Sequence, residues 1–205
     1  MLAGLAKGKK LFSDLGSLCE DGLTSAFIGQ LRYLPAHVQQ AVITTVADRG
    51  CGRVLDLALW PVWTLPGGAT VEPDAVILLE QDHCIVVEAK LQDAVAEAQL
   101  VREIVGAREQ GLTVTSIICP GTISASPTAV GDIPVVHVPW PTFVNAILAV
   151  LQRLDEPCYA ALAQDIRDTA RREGILLEPF CQWAIPAFAP VALDGWKILK
   201  DGEAK

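Results

Sequence analysis

Apolar positions along this chain follow two rhythms. Leu23, Phe27, Leu31 and Leu34 recur at three- and four-residue spacing, which predicts a helix over residues 15–34 that Pro35 closes. Val38, Val42 and Val46 predict a second helix over residues 37–47, ended by Asp48-Arg49-Gly50. The rhythm then changes. Residues 53–60 read as a strand, followed by a loop around Pro61 and Pro66-Gly67-Gly68. Residues 71–79 and 84–90 are largely apolar runs joined by the polar stretch Glu80-Gln81-Asp82-His83, which predicts a strand pair. Away from their charged ends these runs are apolar on both faces, so they belong in a sheet covered by helices. Residues 92–110 read as a helix with Ala94, Ala98, Val101 and Val105 as its apolar stripe and Gly111 as its stop. Residues 114–119 and 133–138 read as strands with a loop over 121–132, and residues 141–154 and 159–172 as helices. The order helix, strand, strand, strand, helix, strand, strand predicts an α/β fold: a mixed sheet with helices on both faces.

Charge interrupts the hairpin at one end. Pro73-Asp74 sits in the first run, and Glu88-Ala89-Lys90 closes the second. Glu88 and Lys90 are two apart on a strand and so share a face. If the turn pairs Leu79 with His83, Asp74 lies opposite Glu88. Carboxylate oxygens in that arrangement suit Mg²⁺ or Mn²⁺. A lysine beside them can orient or deprotonate a water, or hold a phosphate. The bland alternative is a hairpin with a surface ion pair, which contributes little.

This pattern resembles the active site of the PD-(D/E)XK nuclease superfamily. The resemblance spans about residues 15–140 and implies a restriction-endonuclease-like αβββαβ core, with residues 141–205 as a C-terminal extension of one domain. It implies a metal-dependent nuclease, a hydrolase of phosphodiester bonds with DNA as the expected substrate. Asp74 and Glu88 would ligate Mg²⁺ (or Mn²⁺), and Lys90 would position or activate water. Many members add a glutamate from the first core helix. Glu20, three residues before Leu23 and seven before Phe27, stands where that residue would be. A carboxylate favouring the N-terminal end of its helix is the alternative for Glu20. Some branches place a glutamine in the helix after the third strand, which makes Gln99 a possible accessory residue; an ordinary exposed glutamine is its alternative. The alternative for the whole chain is a non-catalytic nucleic-acid- or protein-binding module on the same fold, acting within a larger defence or mobile-element system.

Composition narrows the setting. Of 205 residues, 51 % are apolar and 20 % charged, which reads as globular. The net charge of −8 argues against a broad non-specific DNA surface, because phosphate contacts need Lys and Arg. The basic residues expected to meet a backbone are Arg53, Arg102 and Arg108, with Lys7, Lys9 and Lys10 near the start. Arg167, Arg171 and Arg172 read as a solvated cluster on the last helix. Asp56 could lie near the site or merely end a strand. The cysteines at 19, 51, 84, 119, 158 and 181 have neither zinc nor CxxC spacing, which fits a reducing cytoplasm. No apolar run reaches the ~20 residues of a membrane span, and MLAGLAKGKK lacks a signal-peptide core. The chain is therefore expected to be cytoplasmic, with no membrane partner. From Ile175 the tail is apolar without a period and carries Pro179, Pro186 and Pro190. Such a tail either wraps the core or forms an interface, with a homodimer as the expected partner.

Overall fold

The computed structural model describes residues 20–47, 50–91, 94–121, 127–154 and 156–176. Chain contacts divide the molecule into two compact units, Met1–Ile175 and Leu176–Lys205. The fold below belongs to the first. The expectations for residues 15–19, the early lysines, and the tail from residue 177 lie outside the described residues.

The first helix, α1, opens as Glu20–Leu23, widens into a π-helix over Thr24–Ile28 and closes with Gly29–Leu31. The periodicity predicted an uninterrupted α-helix. The wider turn instead hides Thr24 and Ser25 along with Phe27 and Ile28. Helix α2 (Ala36–Ala47) follows. Next come β1 (Val54–Leu59), β2 (Trp63–Thr64), β3 (Thr70–Val71), β4 (Ala75–Leu79) and β5 (His83–Val87). Helix α3 (Glu97–Glu109) leads to β6 (Thr113–Pro120), β7 (Ala129–Val130) and β8 (Ile133–Val138). Helices α4 (Trp140–Leu151) and α5 (Pro157–Arg172) complete the described residues.

The architecture is a mixed six-stranded sheet flanked by helices, ordered β1-β4-β5-β6-β8-β7. The pairs β1/β4, β4/β5 and β7/β8 are antiparallel; β5/β6 and β6/β8 are parallel. Strands β2 and β3 form a separate two-stranded ribbon where the sequence pattern predicts only a loop and a strand start. The run expected to be one strand over 71–79 is therefore two. Pro73 has no N–H to give a ladder, and the chain bends at Asp74 before β4 begins.

Side chains alternate across the sheet. Val76, Val86 and Ile117 face α3, where Leu100, Ile104 and Ala107 complete a core with Trp63 and Val71 of the ribbon. The alternate residues Ile77, Ile85, Val87 and Ile118 are equally buried on the opposite face. Helix α2 packs on β1 and on α4, and α4 on α5. Phe27, Trp140 and Phe143 form an aromatic chain there, with successive ring centroids 5.8 and 5.7 Å apart. Among the described residues no helix is long and apolar enough to cross a membrane.

Candidate active site

The hairpin register is the one the turn predicted. Ala75 pairs with Val87 and Leu78 with Cys84, so Asp74 comes next in line opposite Glu88. Both residues lie just beyond their assigned strands, not within them. The chain nevertheless stays extended, because Glu88 N–H donates to Ile118 O at 3.0 Å and Lys90 N–H to Pro120 O at 2.8 Å. Those two amides point toward β6. The Ala89 amide points the other way, where β4 has not yet begun. Asp74 fills that gap: its Oδ2 accepts the Ala89 N–H at 2.8 Å.

The side chains converge from four elements. Lys90 Nζ donates to Glu88 Oε1 at 2.7 Å and to Glu20 Oε2 at 3.5 Å. Glu20 Oε1 also accepts the Leu91 N–H at 3.0 Å. Gln99, on α3, donates Nε2 to Glu88 Oε1 at 2.5 Å. Thus the structure brings together Asp74, Glu88, Lys90, Glu20 and Gln99. The backbone of Lys90 is also held: Trp140 Nε1 donates to its carbonyl at 2.9 Å. Gly121, at φ +150°, lies so close that a Cβ there would stand 2.3 Å from that oxygen.

One residue of the site was missed. Glu103 is completely buried on α3, and its Oε1 accepts from the same Gln99 Nε2 at 3.1 Å. No donor reaches its Oε2, and the carboxyl also hydrogen-bonds directly to Glu88. The signal was present in the spacing Leu100, Glu103, Ile104, Ala107. The expected stripe of Ala94, Ala98, Val101 and Val105 avoided the acid and chose the wrong face: Ala94, Ala98 and Val101 are exposed. The helix begins at Glu97, with residues 94–96 outside it, and the expected start at residue 92 lies outside the described residues.

Crowding of acids sets the protonation pattern. Burial, then the charge of Glu88, raises the Asp74 carboxyl to about 7, while the Ala89 amide and Lys90 pull it back. Burial, then Glu88, lifts Glu103 to about 9, so it holds its proton at neutral pH. Burial alone would lower Lys90, but the charge and hydrogen bond of Glu88 outweigh it, with Glu20 and Asp74 adding, and the ammonium is held above its ordinary range. Cys119 is pushed up to about 12 by burial and then by Glu88 and Glu103, so it is a thiol and no thiolate ligand.

The donor set is one of hard oxygens, the chemistry that suits Mg²⁺ or Mn²⁺. In the arrangement described, each carboxylate already has internal donors, with the Lys90 ammonium standing among them as counter-charge. Among the described residues no group of three or more His, Cys, Asp or Glu side chains is arranged to hold a metal ion.

Other expected residues lie elsewhere. A bulge between Val54 and Asp56 re-aims the strand, and Asp56 is exposed with its Oδ1 on the Leu57 N–H at 2.8 Å. Arg53 pairs with Glu80 at 2.6 Å, at the opposite end of β4 from Asp74. Arg171 and Arg172 pair with Asp168 and Glu173 on and just after α5. The described cysteines, Cys51, Cys84, Cys119 and Cys158, are free. Compared with known proteins, the chain matches no family model, no curated protein and no solved structure.

Proposed function

We propose that this chain is a metal-dependent nuclease of the PD-(D/E)XK kind, on a restriction-endonuclease-like core, acting on DNA. One observation carries the reading: Asp74, Glu88 and Lys90 meet at one sheet end, and Glu20 reaches Lys90 from a helix seventy residues earlier in the chain. An isolated surface ion pair needs no such convergence, and Glu88 is buried. Asp74, Glu88 and Glu20 would hold Mg²⁺ or Mn²⁺, which when bound would stabilise the charge building on the phosphate. Lys90 acts as an ammonium donor. Displaced from Glu88, it can orient the attacking water or a phosphate oxygen. Asp74 fixes the Ala89 amide and so the direction of the Glu88-Ala89-Lys90 segment. A positively charged lysine beside a phosphate also offsets locally the acidic net charge.

A second reading follows from one feature. Because the carboxylates are satisfied by internal donors, the same residues could form a closed ion cluster in a non-catalytic binding module. One experiment separates the two. Purified protein is incubated with single- and double-stranded DNA and RNA, with Mg²⁺, Mn²⁺ or EDTA. The nuclease reading expects cleavage with metal, none with EDTA, and losses of roughly 100-fold or more in Glu88→Ala and Lys90→Ala. Equal cutting by wild type and Lys90→Ala would remove the activity from this site. No cutting of any substrate would favour the binding module.

A further inference from the structure

We infer that Glu103 is a positioning residue for this site, acting through Gln99 on Glu88; this rests on the nuclease reading above. The side chain is fully buried, so it touches neither water nor a substrate. An acid placed there costs stability, because burial and the nearby Glu88 both disfavour its charge. An apolar residue would fit the core made by Leu100, Ile104 and Ala107 better. Its contacts suggest why an acid is present. Gln99 Nε2 spans two acceptors, Glu88 Oε1 at 2.5 Å and Glu103 Oε1 at 3.1 Å. An amide presents either its nitrogen or its oxygen to a neighbour. With an acceptor fixed behind it at Glu103, Gln99 must turn its nitrogen toward Glu88. An oxygen turned there would face a carboxylate and repel it. Glu103 thereby fixes the amide, and the amide fixes the Glu88 carboxylate at Oε1, the oxygen that also accepts from Lys90. Position 103 lies one turn beyond Gln99 on α3, which is the spacing that lets the two side chains meet.

A purely structural residue and a positioning residue predict different things. Removing a buried acid in favour of an apolar residue of similar size is neutral or stabilising. Removing a positioning contact lowers activity or metal affinity roughly 10- to 100-fold. Glu103→Leu is therefore expected to unfold at the same temperature as wild type or higher, yet to lose roughly tenfold or more in kcat with KM little changed. Glu103→Gln, which keeps an acceptor for Gln99, should restore most of that rate. Gln99→Leu should lose as much as Glu103→Leu, and the double variant no more than either single one, because both act along one path.

Mn²⁺ binding by calorimetry supplies a second readout. Wild type should bind, Glu103→Leu should bind more weakly, and Glu103→Gln should recover. If wild type binds Mn²⁺ and cleaves, but Glu103→Leu matches it in both, the inference fails while the nuclease reading stands. If the losses in Gln99→Leu and Glu103→Leu multiply in the double variant, Glu103 does not act through Gln99. If wild type neither binds Mn²⁺ nor cuts, the nuclease reading falls and this role falls with it.

Discussion

Asp74 joins the backbone to the cluster of acids. Its Oδ2 accepts the Ala89 amide at the point where β4 has not begun, so the carboxylate stands in for a missing strand neighbour. Two substitutions separate that duty from its charge. Asp74→Asn keeps an oxygen for the Ala89 N–H and removes the charge. It should fold as well as wild type and lose cleavage by roughly 100-fold or more, as expected for a group whose charge acts on the reaction. Asp74→Ala removes both, and should lose as much activity plus about 1–2 kcal/mol of stability from the stranded amide. Urea unfolding and a cleavage assay on the two variants check this. If Asp74→Asn cuts like wild type, Asp74 is a structural acceptor alone. The Pro73-Asp74 and Glu88-x-Lys90 spacing made this residue legible in the sequence, because the hairpin turn fixes the register. Glu103 was not legible, because a pattern search that seeks apolar stripes turns away from a buried acid.

Among the elements, α3 decides how the site is held, since it carries both Gln99 and Glu103. Its N-terminal boundary and its buried face were both misread, for connected reasons. Ala94 and Ala98 are helix formers in sequence, yet they lie outside the core, and the helix is oriented by Leu100, Ile104 and Ala107 against the sheet and ribbon. Close approach to that ribbon is set by Gly106. A Cβ there would stand 2.8 Å from Val71 Cγ1 and 2.9 Å from Trp63 Cε3. The β2–β3 ribbon was itself invisible as a pattern, because two-residue strands have no period to read. Gly106→Val should therefore cost about 1–3 kcal/mol through overpacking. The gain in helix propensity of Val over Gly, a few tenths of a kcal/mol, is too small to offset this. Thermal unfolding would show a melting point lowered by several degrees. Cleavage should fall too, because α3 must shift and Gln99 with it. A variant as stable as wild type would mean that the ribbon yields and does not clamp the helix.

At the scale of the whole molecule, the buried acids of the site add a pH dependence to stability. Asp74 is raised to about 7 and Glu103 to about 9, both chiefly by burial and then by Glu88. In the unfolded chain both carboxyls would titrate near 4. Above that pH the folded chain keeps protons that the unfolded chain has lost, so folding takes protons up. Stability contributed by these groups is then full below about pH 4 and falls as pH rises, until each folded value is passed near 7 and 9. This is the reverse of the usual surface carboxylate, whose pairing strengthens as pH rises. Lys90, held above its ordinary range, loses its contribution only at still higher pH. In EDTA, the melting temperature should therefore decline between about pH 5 and pH 9. Glu103→Gln should flatten the upper part of that decline, because the amide has no proton to lose, and Asp74→Asn the lower part. A divalent cation that binds only the folded chain should raise the melting point most at the alkaline end, where the carboxyls are free to ligate it. Calorimetric melts of wild type and both variants across this range, with EDTA and with Mg²⁺, measure all of these effects. A wild-type melting point that rises steadily toward pH 9 in EDTA would mean that the acids at the sheet end are solvated and charged, and that the buried cluster inferred from Glu88 and Glu103 does not exist.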